Sequence, residues 1–196
     1  LGAAPTSGTI YYTGGAGLLE GNAFAVDLVV GSGAPANSGA ALCVECQLDF
    51  VTGGFLAGDA TAYVFDGGGS FAITGGIDLT GNGLLGDAGD IAAGSTLIAG
   101  TFVGNQFVLV DGTPGFGALQ LSLGDGQVLS QLANYYGLSG VHGETLIMAT
   151  FAGFGDVPGA FQSTQLENVI VSTPEPTSLA VLGLALLGLV GRRLRT

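Results

Sequence analysis

The stretch Phe24-Ala25-Val26-Asp27-Leu28-Val29-Val30 sets Phe24, Val26, Leu28 and Val30 against Ala25, Asp27 and Val29. A period of two puts the first set on one side of an extended chain and the second on the other, the pattern of a half-buried strand. Residues 42–50 repeat it, with Leu42, Val44, Cys46, Leu48 and Phe50 alternating with Cys43, Glu45, Gln47 and Asp49. Farther out, short runs of the same kind fall at 9–13, 61–66, 70–79, 96–103, 106–111, 118–123, 128–133, 145–151 and 164–172. Between them lie GSG, TGG, DGGG, TGNG and GDG, whose glycines supply the positive φ angles that tight turns need. Many short strands punctuated in this way predict an all-β fold, an antiparallel β-sandwich of jelly-roll type. No stretch before residue 174 carries a convincing helical stripe, Val128 to Tyr136 coming nearest.

The chain has 196 residues, one domain's worth, and 47% of them are hydrophobic, enough for a packed core. Its charge is lopsided. Arg192, Arg193 and Arg195 are the only basic residues, whereas every one of the 15 carboxylates except Glu175 precedes residue 174. A body without a cation has no basic patch for phosphate, so nucleic acid is excluded as a partner. Lysine Schiff bases, P-loops and arginine clamps are excluded with it. Unpaired carboxylates repel one another, which keeps the body soluble while loading its compact state.

Residues 173–196 read TPEPTSLAVLGLALLGLVGRRLRT. The parts are a stiff Pro174-Glu175-Pro176 step, an apolar run from Thr177 to Gly191 and a basic cluster. As a helix, the 15-residue run spans about 22 Å, short of the ~30 Å hydrocarbon core of a bilayer. The arginines beyond it favour the cytoplasmic side, which places the body outside the inner membrane.

This tail closely resembles the PEP-CTERM sorting signal of Gram-negative bacteria, with Pro174, Glu175 and Pro176 as the motif, Ser178 to Val190 as the short membrane helix and Arg192, Arg193 and Arg195 as the terminal cluster. The resemblance implies recognition by an exosortase, a temporary hold in the inner membrane, and removal of the tail. The body is then released to the cell surface or extracellular matrix of a species that makes exopolysaccharide. Three segments follow: Leu1 to Ala4, the remnant of a removed signal peptide or the mature start; a β-sandwich at 5–173; and the sorting signal at 174–196.

Within the body, Asp78, Asn82, Asp87 and Asp90 crowd a glycine-rich loop, and Asp78, Thr80, Asn82 and Gly83 follow positions 1, 3, 5 and 6 of a calcium loop. Position 12 falls on Gly89 rather than a bidentate glutamate, so a Ca²⁺ site here would need Asp87 and Asp90 instead. Cys43 and Cys46 form C-x-x-C. Export favours a disulfide, yet a regular strand puts the two on opposite faces with Cα atoms about 10 Å apart, beyond the ~7 Å limit for a bridge. Two outcomes are open: a turn at Val44-Glu45 that lets the bridge form, or two free thiols with Cys46 buried.

Tyr135 and Tyr136, beside a glycine turn, are the candidate carbohydrate platform in a chain without tryptophan. His142, next to Gly143-Glu144, has no nucleophile motif to serve and reads as a loop residue. The expectation is a structural or adhesive, non-enzymatic protein of the exopolysaccharide or biofilm matrix. The alternatives are a calcium-assisted carbohydrate-binding module and a secreted hydrolase built on paired carboxylates. Glycine-rich strands with no lysine at their edges also leave self-assembly open.

Overall fold

The computed structural model describes residues 8–31, 36–59, 62–110, 116–123, 126–137, 145–152, 161–163 and 165–172. Along these, the chain forms β1 (Thr9–Tyr12), β2 (Leu18–Gly31), β3 (Gly39–Gly58), β4 (Ala62–Phe65), β5 (Ser70–Asp78), β6 (Ile91–Thr101), β7 (Gln106–Val110), β8 (Phe116–Leu123), β9 (Gln127–Val128), α1 (Ser130–Tyr136), β10 (Thr145–Ala152), β11 (Phe161–Ser163) and β12 (Gln165–Ser172). Every pairing is antiparallel. The hydrogen-bonded path runs β11-β1-β2-β3-β4-β7-β8-β10-β12, with β5, β6 and β9 branching from β3. The ends of this path, β11 and β12, are one residue apart in sequence, so the chain itself joins them and the strand order can be followed as a ring. Neighbours are mostly consecutive strands, and β1 with β11 is the early-with-late pairing among those described, the kind that a jelly-roll order multiplies.

β3 belongs to both halves of the ring. Leu42 to Val51 pair with β5, and Phe55 to Gly58 pair with β4. The crossing lies at Thr52-Gly53-Gly54, which packs backbone to backbone against Asp66 to Gly69. Gly53 donates its N–H to the Asp66 carbonyl at 3.0 Å, and Asp66 donates to that of Gly54 at 2.8 Å. A Cβ on Gly53 would lie 2.1 Å from the Gly67 oxygen, and one on Gly69 would lie 1.8 Å from the Val51 oxygen. Only glycine fits such an approach. Thr52 is buried there, accepting the Leu19 N–H at 3.1 Å.

Two aromatic groups fill the core on either side of this crossing. Tyr12 packs on Phe55 and Phe65 with ring centroids 5.4 and 5.1 Å apart, and Phe24 stacks on Phe50 at 5.7 Å. Offset and edge-on contacts at these separations favour the pairs beyond the area they bury.

The sequence's alternation holds within segments and breaks at bulges. Against β3, the register of β2 shifts between Gly21 and Phe24 and again between Val26 and Leu28. Phe24 is therefore buried and Val29 packs on the core, whereas Leu28 and Val30, expected inside, are 37% and 59% exposed. In β3 a shift between Val44 and Gln47 turns Leu42 outward and Cys43 inward. The strand expected at 128–133 is the two-residue β9 followed by α1, whose Leu132, Ala133 and Tyr136 face inward and whose left-handed Gly137 caps the C-terminus. The apolar helix expected at Ser178–Val190 lies outside the described residues. Among those described, no helix is long and apolar enough to cross a membrane.

Gly69→Ala forces backbone apart at the crossing, where Gly54→Ala meets only the Ala16 oxygen at 3.3 Å. The first substitution is expected to destabilise by about 2 kcal/mol or more, a fall in Tm of about 4–8 °C, and the second by well under half of that. Thermal unfolding of the two variants checks the difference.

Candidate functional site

β5 and β6 pair up to Ile77 and Ile91, and the loop between them holds the predicted acidic cluster. The structure brings Asp78, Asn82, Asp87 and Asp90 together, but it turns their oxygens to hydrogen-bond donors. Asp78 is 3% exposed, and its carboxylate accepts the N–H of Gly81 at 2.7 Å, the N–H of Gly83 at 2.6 Å and the Thr80 hydroxyl at 3.1 Å. Asp90 accepts the N–H groups of Leu79, Thr80 and Asp87 at 3.1, 3.2 and 3.0 Å. Asn82 donates to Asp87 and accepts the N–H of Leu84. Gln131 of α1 ties the loop down by donating to the carbonyls of Gly89 and Asp90.

A calcium cage needs six or more oxygens converging on one point. Among the described residues no group of three or more His, Cys, Asp or Glu is placed to hold a metal ion. The arrangement instead solvates buried carboxylate with backbone. Burial pushes the Asp78 carboxyl up, but the donors from Gly83, Gly81, Thr80 and Asn82 outweigh it and hold its pKa below the ordinary value.

Cys43 and Cys46 are joined as a disulfide, with Cα atoms 5.6 Å apart. The bulge achieves this: Glu45 takes a left-handed conformation with φ 53°, so the strand turns over within two residues and both sulfurs face the core, the cysteines being 7% and 3% exposed. Gly75 of β5 opposite gives the bridge room, since a Cβ there would lie 2.3 Å from the Cys46 sulfur.

Tyr135 and Tyr136 do not form an exposed platform. Tyr136 is a core residue of α1, 3% exposed, with its hydroxyl donating to the Val29 carbonyl at 3.2 Å. Tyr135 is half-buried and meets its ring edge-on at 5.0 Å. Adjacent helical positions cannot present two rings to one ligand, and the buried one anchors the helix. His142, Glu144, Pro174, Glu175, Pro176, Arg192, Arg193 and Arg195 lie outside the described residues.

A site the sequence reading passed over lies on β2, β3 and β5. Glu20, Asn22, Asp49 and Ser70 line a groove of about 310 Å³, with Val51 and Ala72 beside them, while the rings of Phe50 and Phe71 are buried in the core. The register builds it: Glu20 pairs with Val51, Val51 with Ser70 and Asp49 with Ala72, so alternate positions of three strands share one face. Tyr11, opposite Glu20, donates its hydroxyl to that carboxylate, which with burial raises the Tyr11 pKa and keeps it a neutral donor. Asp49 accepts the N–H of Ala23, a bulge residue at φ 56°. Two carboxylates, an amide and two hydroxyls suit a hydroxyl-rich ligand. The polar positions alternate in the sequence, but only the register across strands unites them.

Of the known families compared, the PEP-CTERM protein-sorting motif matches residues 172–195. The chain thus carries this sorting signal at its C-terminal end, and with it the mark of an exported, surface-directed protein that meets an exosortase during sorting. No curated protein and no solved structure matches the chain.

Two outcomes are expected here. Asp78→Asn leaves N–H donors of the loop without their anion and lowers Tm by several degrees at neutral pH. Because the folded pKa of Asp78 is depressed, its stabilisation is present above the unfolded value near ~3.9 and is lost as pH falls through the folded value. The gap between wild type and variant therefore closes in acid, as thermal unfolding across pH 2.5–7 will read. Reducing the Cys43–Cys46 bridge, which adds 2 Da to the intact mass, releases only a very short loop's worth of chain entropy to the unfolded state and costs about 2 kcal/mol, a fall in Tm of about 4–8 °C.

Proposed function

We propose that the protein is an exported component of the cell surface or extracellular matrix, held at the inner membrane by its tail and passed on by an exosortase. Its role there is structural or adhesive, in an exopolysaccharide-rich biofilm matrix, and it catalyses no reaction. The sorting signal at residues 172–195 carries this reading. The body's charge supports it, since a surface of carboxylates without Lys or Arg stays soluble at high local concentration and does not adhere to nucleic acid.

The groove of Glu20, Asn22, Asp49 and Ser70 favours a second reading, a module that binds the hydroxyls of a polysaccharide. Calcium would assist such binding by bridging groove carboxylates to sugar oxygens. A hydrolase is the weaker alternative, because it would need two carboxylates set on either side of a scissile bond as acid and base, beyond the hydroxyl binding that the groove's polar face supports.

Fractionation of the native host tests the first reading. Mature protein lacking Arg192 to Arg195 is expected at the surface or in the matrix, and a variant ending at Thr173 is expected to lose that destination. Full-length chain confined to the inner membrane would refute it. In polysaccharide pull-down from the host matrix, the second reading expects retention that falls about tenfold in Asp49→Asn and Asn22→Ala, a loss of roughly 1.4 kcal/mol, and that weakens further in chelator.

A further inference from the structure

The last strand and the sorting signal abut. β12 pairs with β10 from Gln165 through to its end, where Val171 lies opposite Ile147 and Ser172 opposite Leu146. β10 is itself paired along its whole length with β8 on the other side, so β12 is docked on an interior strand. The match to the sorting motif begins at Ser172, the last residue in the ladder, and a single residue, Thr173, separates it from Pro174. A signal in an accessible linker would need no more than local chain; this one is joined to a hydrogen-bonded strand.

Proteases act on chain that is extended and unpaired over several residues, and a folded substrate is cut through its transiently opened form. Pro174 and Pro176 give no N–H of their own to a neighbouring chain, which leaves the residues just before the motif as the nearest donors that a processing enzyme could grip. Those residues are held by β10. The span from Thr173 to Thr177 reaches at most about 17 Å when fully extended. A folded chain of this size has a radius of gyration of about 16 Å, comparable to that reach.

We infer that the end of β12 must part from β10 before the tail is processed, so that this pairing sets the rate at which the folded body is released. The inference rests on the reading of the tail as a signal that is processed. It makes the last strand a brake: body that has closed its ring waits at the membrane until Val169 to Ser172 open, and partly opened body is released sooner.

Pulse-chase of the full chain in its native host tests this with three variants. Eight Gly/Ser residues inserted between Ser172 and Thr173 free the motif from the strand while leaving the β10–β12 ladder intact. The same insert between Thr177 and Ser178 lengthens the distance to the membrane and keeps motif and strand joined. Deletion of Pro174 to Pro176 removes the signal. The first insert is expected to speed conversion to the mature form about fivefold or more, the second to leave it unchanged or slower, and the deletion to block it, with thermal unfolding showing the same body Tm in all. Wild-type conversion in the first variant, with the deletion still blocking, overturns the brake and leaves the sorting reading standing. Equal acceleration by both inserts also overturns it, because membrane distance would then be the limit. Conversion that survives the deletion overturns the sorting reading and the brake together.

Discussion

The fold hangs on one close contact between backbones, where Thr52-Gly53-Gly54 passes Asp66 to Gly69. β3 must run from one half of the ring into the other without ending, and a strand that long keeps its pairings on both halves only if it bends where nothing stands between it and its neighbour. Glycine at 53 and 69 keeps a Cβ out of the two closest approaches, and reciprocal bonds between Gly53, Gly54 and Asp66 hold it closed. The aromatic groups around Tyr12 and around Phe24 and Phe50 then pack to either side. The register of the groove face, from Glu20 across to Ser70, depends on the same stretch of β3.

Acidity and glycine content are two sides of one solution. With no Lys or Arg in the body, its carboxylates find their partners in backbone N–H groups. Asp49 takes that of Ala23, Asp59 that of Ala62, Asp66 that of Gly67, and Asp78 and Asp90 organise a loop between them. Such bonds to an ionised acceptor are stronger than neutral ones, and glycine-rich turns leave the donors free to make them. In the cluster expected to hold calcium, donors of the chain itself reach the carboxylates of Asp78 and Asp90.

Much of this was legible in the sequence, and what was not has a common cause. Period-two alternation located nearly every strand, since burying one face of a sheet demands it. It failed at Leu28, Val30 and Leu42, because one extra residue in a bulge exchanges the two faces and composition does not mark where that residue falls. Glu45 in a left-handed conformation is a case in point: the ten-ångström separation expected of Cys43 and Cys46 is right for a regular strand and irrelevant at a bulge. Val128 to Tyr136 misled for a different reason, as a seven-residue helix is too short to show a stripe and owes its form to Leu132 and Tyr136 docking on the core. The groove was invisible because its residues are apart in sequence and share only a register.

Ring closure ties the end of the body to the end of the chain. β1 finds its second partner only when Tyr12 meets Phe161, and β10 finds its second only when β12 arrives, so neither half is complete until residues just short of the sorting signal are in place. The pairing of β1 with β11, Ile10 with Ser163, is distant in sequence and forms slowly, and until both pairings form the edges of β1 and β10 are open to other chains. On the proposed route, in which the body crosses the membrane N-terminus first, the fold is completed when only the tail remains behind. On that route, a tail held at the membrane gives the slowest pairing, β1 with β11, time to form, and it holds the chain beside β12, the last strand to dock.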